Sequence, residues 1–247
     1  MITIATVNLN NFEGLKRTIE SVLEQKYQSF QFIIKDGGST DGSLELLNKY
    51  AKVQHNLIVD TSSDTGIYDA MNQCISLASE DYIIFMNSGD VFLDNESLEN
   101  VVNVINKNKH GDVYYFSCYM DFGGRKFLRK AKKCSYALYG QPAIHQATVF
   151  RTSVHKNNFY NLKYKISADY EVMLSIYRQG YKQLSFPEVV LASFEVEENS
   201  ASYKNQKKSR YEMKLAQKEH GVNSFLILLF NMIRFMKNKA AKLVMQK

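Results

Sequence analysis

Asp81-Tyr82-Ile83-Ile84-Phe85-Met86-Asn87-Ser88-Gly89-Asp90 is the stretch whose reading decides the fold. Its apolar run, Tyr82 to Met86, is too short for a helix and rich in β-branched and aromatic side chains, so it reads as a central strand covered on both faces. The run stops abruptly at four polar or turn-forming residues. In an open α/β sheet ligands bind beyond the carboxyl ends of the strands, which puts Asn87, Ser88, Gly89 and Asp90 where chemistry is expected. The same four residues also make an ordinary turn, and taken alone either role accounts for them.

Toward the amino terminus, Ile2–Val7 is a β-branched run ending at the polar turn Asn8-Leu9-Asn10-Asn11, the pattern of a first parallel strand. Leu15, Ile19, Val22 and Leu23 recur at helical spacing, and the next apolar run, Phe32–Ile34, ends at Asp36-Gly37-Gly38-Ser39-Thr40-Asp41-Gly42-Ser43. That is one βαβ unit. A carboxylate closing the second strand, followed by glycines that permit close approach, suits Asp36 to the ribose or base of a nucleotide. Asp41 reads as the N-cap of the helix carrying Leu44, Leu47 and Tyr50. A further short strand, Leu57–Val59, leads through Asp64-Thr65-Gly66 into a helix with an apolar stripe of Ile67, Ala70, Met71, Cys74, Ile75 and Ala78. Asp69 and Asn72 lie off that stripe, and Asp64 serves either as a turn residue or as a ligand at the helix's unpaired N–H groups.

The 247 residues are enough for one large core, and 45% hydrophobic with 12 Gly and 2 Pro is ordinary for an α/β protein. A catalytic-size domain with an appendage is expected. Cys74, Cys118 and Cys134 show neither metal spacing nor a redox pair, and Ile2 enters a strand with no basic-then-apolar leader, so the expectation is reduced thiols in a cytoplasm. The net charge of +6 is unevenly placed. Arg125, Lys126, Arg129, Lys130, Lys132 and Lys133 form one cluster, and residues 221–247 hold five basic residues and no acidic one. A nucleic-acid binder would interleave aromatics with such bases, and the cluster has only Phe127, which argues against a nucleic-acid partner.

In the second half, Leu98, Val101, Val102 and Ile105 mark a helix, Asp112–Tyr119 a strand, and Phe122-Gly123-Gly124 a turn into another strand. His145 falls in a loop entering the strand Ala147–Phe150. Ser167-Ala168-Asp169-Tyr170 opens a helix with Val172, Met173 and Ile176 on one face, so Asp169 lies in a first turn, where the helix dipole alone favours an acid. Glu171 is offset by about 200° around that helix.

Five separated motifs thus occur in order: Asp36 to Ser43, Asp64-Thr65-Gly66-Ile67-Tyr68-Asp69-Ala70-Met71-Asn72, Asn87-Ser88-Gly89-Asp90, His145-Gln146 and Ser167-Ala168-Asp169-Tyr170. Together they resemble family 2 glycosyltransferases of the GT-A fold, in particular bacterial exopolysaccharide and O-antigen enzymes, including one from the colanic acid cluster. The resemblance covers most of residues 1–200 and fades beyond Val196. It implies an α/β architecture with a Rossmann-like, mostly parallel central sheet flanked by helices. The donor half would span about 1–110 and the acceptor half about 111–200, with a helical C-terminal extension at 201–247.

The implied activity is transfer of a hexosyl group from a nucleotide-diphosphate sugar to a lipid-linked saccharide in surface polysaccharide assembly. By the resemblance Asp36 and Asp64 contact the nucleoside, with Thr6, Asn8, Gly66, Asp69, Asn72, Asn87 and Ser88 completing the nucleotide-sugar site. Asp90, with His145, would serve Mg2+ or Mn2+ at the diphosphate, and Asp169 would be the general base of an inverting displacement. Many such enzymes carry Asp-x-Asp where this chain has Asn87 and Gly89, which leaves Asp90 as the one carboxylate of the cluster. A non-catalytic nucleotide-sugar-binding module is the rival reading.

Past Lys204–His220, the run Phe225 to Phe230 with Met232, Ile233, Phe235 and Met236 is too short to cross a bilayer, which takes ~20 apolar residues. It suits a helix lying at the inner face of the cytoplasmic membrane, with Arg234, Lys237, Lys239 and Lys242 near anionic headgroups. A helix packed on the catalytic domain is the alternative.

Overall fold

In a computed structural model that describes residues 1–196, 205–230 and 232, the strands are Ile2–Asn8 (β1), Phe30–Asp36 (β2), Leu57–Asp60 (β3), Tyr82–Phe85 (β4), Val91–Phe92 (β5), Val113–Phe122 (β6), Arg125–Arg129 (β7), Thr148–Arg151 (β8) and Gln183–Glu195 (β9). They form one sheet in the order β3-β2-β1-β4-β8-β6-β9-β5, with β7 hairpinned onto the outer part of β6. The first four are mutually parallel; β8 enters antiparallel between β4 and β6, and β9 runs parallel to β6. Six strands (β1, β2, β3, β4, β6 and β9) therefore share one direction.

Tyr82, Ile83, Ile84 and Phe85 are all buried, as a strand covered on both faces requires. The covering helices are Phe12–Leu23 (α1), Ser43–Ala51 (α2), Ile67–Leu77 (α3), Ser97–Lys107 (α4), Thr152–Lys156 (α5) and Ala168–Arg178 (α6). Leu15, Thr18, Ile19 and Val22 bury one face of α1, and Ala70, Met71, Cys74 and Ile75 one face of α3, each at the 3–4 residue spacing of a helix on a sheet. The β6–β7 hairpin turns at Gly123 and Gly124, both at positive φ (63° and 94°), where a side chain would be strained. Pro187 interrupts the ladder of β9. The register with β6 slips beside it, and the Pro187 carbonyl accepts from Ser117 Oγ at 2.8 Å instead.

The N-cap of α2 is Gly42 rather than Asp41. Asp41 nonetheless caps two helices: its carboxylate accepts from Ser43 N at 3.1 Å and from Phe12 N, at the start of α1, at 2.8 Å.

The extension packs against the body of the fold. Gln206–Glu219 (α7) buries Glu212, Ala216 and Gln217, and Glu212 accepts hydrogen bonds from three successive backbone amides, Lys165, Ile166 and Ser167, at 3.1, 2.9 and 3.0 Å. Those amides immediately precede α6. Residues 224–230 are helical; Ile227 is buried, the Phe230 ring packs on Tyr139, and Phe225 and Leu228 are 70% and 61% exposed. The basic residues expected to face a membrane, Arg234, Lys237, Lys239 and Lys242, lie outside the described residues.

Candidate active site

Parallel register fixes the floor of the site. Asn8 and Asp36 are partners at the carboxyl ends of β1 and β2, and Ser88 N bonds to Val7 O, which draws the end of β4 level with them. Asp36 is wholly buried. Its Oδ1 accepts from Gly38 N and Ser39 N (2.9 and 2.7 Å) and its Oδ2 from Asn8 Nδ2 and Ser39 Oγ (2.7 and 2.8 Å). Both oxygens are thus engaged by the protein's own donors, and Asp36, the residue expected to contact the nucleoside, also shapes the cradle around that position. The amide it orients, Asn8, is left with a buried Oδ1 that has no hydrogen-bond partner among the described residues, and Asn87 Oδ1 and Ser88 Oγ are in the same position. Buried polar atoms without partners are costly, and three of them at adjoining strand ends mark where a polar ligand completes the structure.

Asp64 is brought to this floor from the loop before α3. Lys35, 0% exposed, reaches across with its ammonium 3.6 Å from Asp64 Oδ2 and donating to the Asp36 and Ser62 carbonyls. Gly37 makes the approach possible, since a Cβ there would sit 3.0 Å from Asp64 Oδ2.

Three expected site residues are committed elsewhere. The Thr6 hydroxyl, fully buried, donates to Met86 O at 2.6 Å and stitches β1 to β4. Asn72 makes a reciprocal pair with the Tyr160 backbone at 2.9 and 2.8 Å. Asp69 accepts from Thr65 N and Oγ1, closing the first turn of α3, at whose head Gly66 adopts φ 133°.

Asp90 holds the strand-end turn together: Oδ2 accepts from Asn87 N at 2.9 Å and Oδ1 from Gln146 Nε2 at 3.0 Å. The turn takes Gly89 to φ 103°, a conformation an aspartate would adopt only under strain. His145, in a short 3-10 turn before β8, joins this cluster to the head of α6. Its Nε2 lies 3.2 Å from Asn87 Nδ2 and 3.8 Å from Asp90 Oδ2, and its Nδ1 lies 4.0 Å from Asp169 Oδ2.

Among the described residues no group of three His, Cys, Asp or Glu side chains gathers to hold a metal ion. The Asp90 carboxylate and the His145 imidazole do stand together, beside Asn87 with its unpartnered Oδ1, and such oxygen and nitrogen donors are of the kind that takes a divalent cation once phosphate oxygens complete its shell.

Asp169 sits in the first turn of α6, facing His145. Gln141 Nε2 donates to its Oδ2 at 2.5 Å, and Tyr170 N and the Tyr68 hydroxyl approach its Oδ1 at 2.8 and 3.4 Å. Burial lifts its carboxyl above the ordinary aspartate value, against the opposing pull of His145, of the hydrogen bonds from Tyr170 N and Gln141, and of the Arg129 charge. A carboxylate so placed is a stronger base than one in water. Glu171, by contrast, turns away and bonds His220 Nε2 at 2.6 Å. Sequence reading passed over Gln141, Tyr68 and Lys35. Gln141 stands four residues before His145, and Tyr68 stands inside the second motif; nothing local distinguishes Lys35 from a surface lysine.

Comparison with known proteins follows the same outline. Residues 3–181 match the family model described as Glycosyl transferase family 2. A PGL/p-HBAD biosynthesis glycosyltransferase of Mycobacterium bovis is 27% identical over 201 residues, covering 78% of this chain and 76% of that protein. Among solved structures, S. aureus TarS 1-349 in complex with UDP-GlcNAc superposes with a TM-score of 0.71 at 17% identity, over 87% of this chain and 65% of that one. The mannosyltransferase PcManGT from Pyrobaculum calidifontis, in complex with GDP-Man and Mn2+, gives 0.64 at 14% identity, over 87% and 62%. The chain thus spans just under two-thirds of those two structures, and the likeness speaks to the fold.

Proposed function

We propose, from the premise that this chain belongs to glycosyl transferase family 2, that it is an inverting hexosyltransferase acting on a nucleotide-diphosphate sugar and a lipid-linked saccharide of bacterial surface polysaccharide assembly. The observation that carries the reading is the line from Asn87 and Asp90 through His145 to Asp169. It sets a buried, raised carboxylate opposite a strand-end cluster whose unpartnered polar atoms ask for a ligand.

In this reading Asn8, Asp64 and Ser88 receive the nucleotide, with Asp36 and Lys35 holding Asn8 and Asp64 in place. Asp169 takes the proton of the acceptor hydroxyl as that oxygen attacks the anomeric carbon from the face opposite the nucleotide, so an α-linked donor gives a β-linkage. Gln141 Nε2 and Tyr170 N fix the direction of the carboxylate, beside the Tyr68 hydroxyl, whose proton goes to the Ile166 carbonyl. Asp90, His145 and Asn87 Oδ1 would hold Mg2+ or Mn2+, which supplies positive charge to the leaving diphosphate. The complex of PcManGT with Mn2+ supports a divalent ion, and that of TarS with UDP-GlcNAc supports a nucleotide-sugar donor.

The exposed apolar face of residues 224–230, with Phe225, Leu228 and Leu229 outward, supports a peripheral position at the inner face of the cytoplasmic membrane. No described helix is long and apolar enough to cross a membrane. The test is a panel of nucleotide sugars offered to the full chain with Mg2+ or Mn2+ and read by mass spectrometry. Release of nucleoside diphosphate and sugar transfer, both abolished by a chelator, are expected. Nucleotide binding with neither hydrolysis nor transfer of any donor would make the chain a binding module and sink the enzymatic reading.

A further inference from the structure

Of the six basic residues between Arg125 and Lys133, Arg129 alone is turned inward. Strand alternation sets it, opposite Cys118, on the face of the β6–β7 hairpin that looks toward α6. A guanidinium offers five N–H donors. That of Arg129 makes one long hydrogen bond, Nη2 to the Gln141 carbonyl at 3.4 Å, and no ion pair among the described residues. Burial pulls its pKa below the ordinary arginine value, with the nearby Asp169 carboxylate among the charges that oppose that pull without closing to an ion pair. Gln141 connects it to the chemistry, since the side chain of that residue donates to Asp169 while its carbonyl accepts from Arg129. The contact path from the strand-end cluster therefore runs Asp90, His145, Asp169, Gln141, Arg129, with Asp169 between the donor cluster and a guanidinium whose N–H donors are mostly unused among the described residues.

A second path leads outward from the same place. Tyr136 carries Lys132 Nζ over its ring at 5.4 Å and packs edge-on to Tyr139 at 6.0 Å between ring centroids, and Tyr139 receives Phe230 of the terminal helix at 3.6 Å. The anion-seeking corner is thus linked by aromatic rings to the helix whose outer face exposes Phe225 and Leu228.

We infer that Arg129 binds the phosphate that joins the acceptor's sugar to its lipid, so that hydroxyl, phosphate and hydrocarbon fall in turn on Asp169, Arg129 and the terminal helix. This rests on the proposed transferase function and names the anionic part of its acceptor. Planar, bidentate recognition of phosphate is what an arginine does that a lysine does not.

The test is equilibrium binding of farnesyl diphosphate, farnesol and inorganic pyrophosphate to the full chain, with UDP and GDP saturating so that the donor site is filled. Wild type, Arg129→Ala and Arg129→Lys are compared after their melting temperatures show that all three fold. Farnesyl diphosphate is expected to bind, with Arg129→Ala weakening it about 10- to 100-fold, to the level of farnesol, and Arg129→Lys falling between. Nucleotide affinity is expected to stay unchanged in both variants. Equal affinity for pyrophosphate and farnesyl diphosphate would overturn the lipid assignment and leave a site for soluble phosphate. Unchanged farnesyl diphosphate binding in Arg129→Ala, or a loss of UDP and GDP affinity in its place, overturns the inference. A wild-type chain that transfers sugar yet shows the first of these results refutes only Arg129's part. A chain that transfers none but binds farnesyl diphosphate through Arg129 refutes the transferase reading instead.

Discussion

Gln141 Nε2 lies 2.5 Å from Asp169 Oδ2, a side-chain bond from the loop before β8 to the first turn of α6. A donor on the ionised oxygen favours the charged form, so this bond holds the carboxyl below where burial alone would leave it. Gln141→Ala is therefore expected to move the acid limb of the kcat/KM profile to higher pH and to lower turnover at neutral pH. An acid limb that stays in place would show that Gln141 does not tune the base.

Asp169→Asn is expected to cut transfer by about 10²–10⁴-fold while leaving donor affinity within a few-fold of wild type, because the base acts on the acceptor. Stability should move the other way. A carboxyl raised by burial costs the fold most above its folded pKa and nothing below its unfolded value, so the wild type should lose ground to Asp169→Asn as pH rises. Urea midpoints of the two proteins across acid to neutral pH read the difference. A gap that is constant with pH would refute the shift.

His155 is enclosed by Phe85, Phe150 and Tyr160, gives Nδ1 to the Asn158 carbonyl at 3.0 Å, and is pushed down to about 4 by burial. A base held below its ordinary 6.5 is neutral in the fold and charges more readily in the unfolded chain. Stability present at neutral pH should thus decline as pH falls from that ordinary value toward the folded one, by about 3 kcal/mol from this residue. The acid-induced loss should shrink in His155→Phe, and an identical loss in both would assign it elsewhere.

Asp36→Ala is expected to lower stability by about 2–4 kcal/mol, since it strands the Gly38 and Ser39 amides and the Asn8 side chain. Nucleotide affinity should fall with it. Full stability with lost affinity would instead make Asp36 a direct ligand.

On the terminal helix, Phe225→Glu and Leu228→Glu change exposed positions, so melting should be unaltered. Cosedimentation with anionic liposomes is expected to drop sharply in both, and in wild type on adding salt. A wild-type chain that stays in the supernatant at low salt disposes of the membrane reading.

What the sequence made legible was whatever short-range periodicity controls. Tyr82–Phe85 announced a central strand, the stripe from Ala70 to Ile75 announced α3, and Gly123-Gly124 announced the hairpin. The order of motifs located the strand ends and the head of α6. Long-range pairing was not readable: nothing in Thr148–Arg151 tells that it inserts antiparallel between β4 and β6. Nor does local pattern separate a carboxylate that meets a ligand from one that holds its neighbours. Asp36 and Asp64 read alike, and only packing shows the first closed over by four donors. Arg129 was hidden for the opposite reason, one inward residue within a run of outward charges.

The three backbone amides that end on Glu212 give the extension a grip on the segment that delivers the base. Trading C-terminal segments between relatives, or trimming this chain to the 3–181 span its family shares, would leave those amides to water and let the head of α6 drift. A chimera is therefore expected to keep the head of α6 in place only if it keeps that carboxylate, and the folded unit reaches past Glu212 although the matched family span ends 31 residues before it.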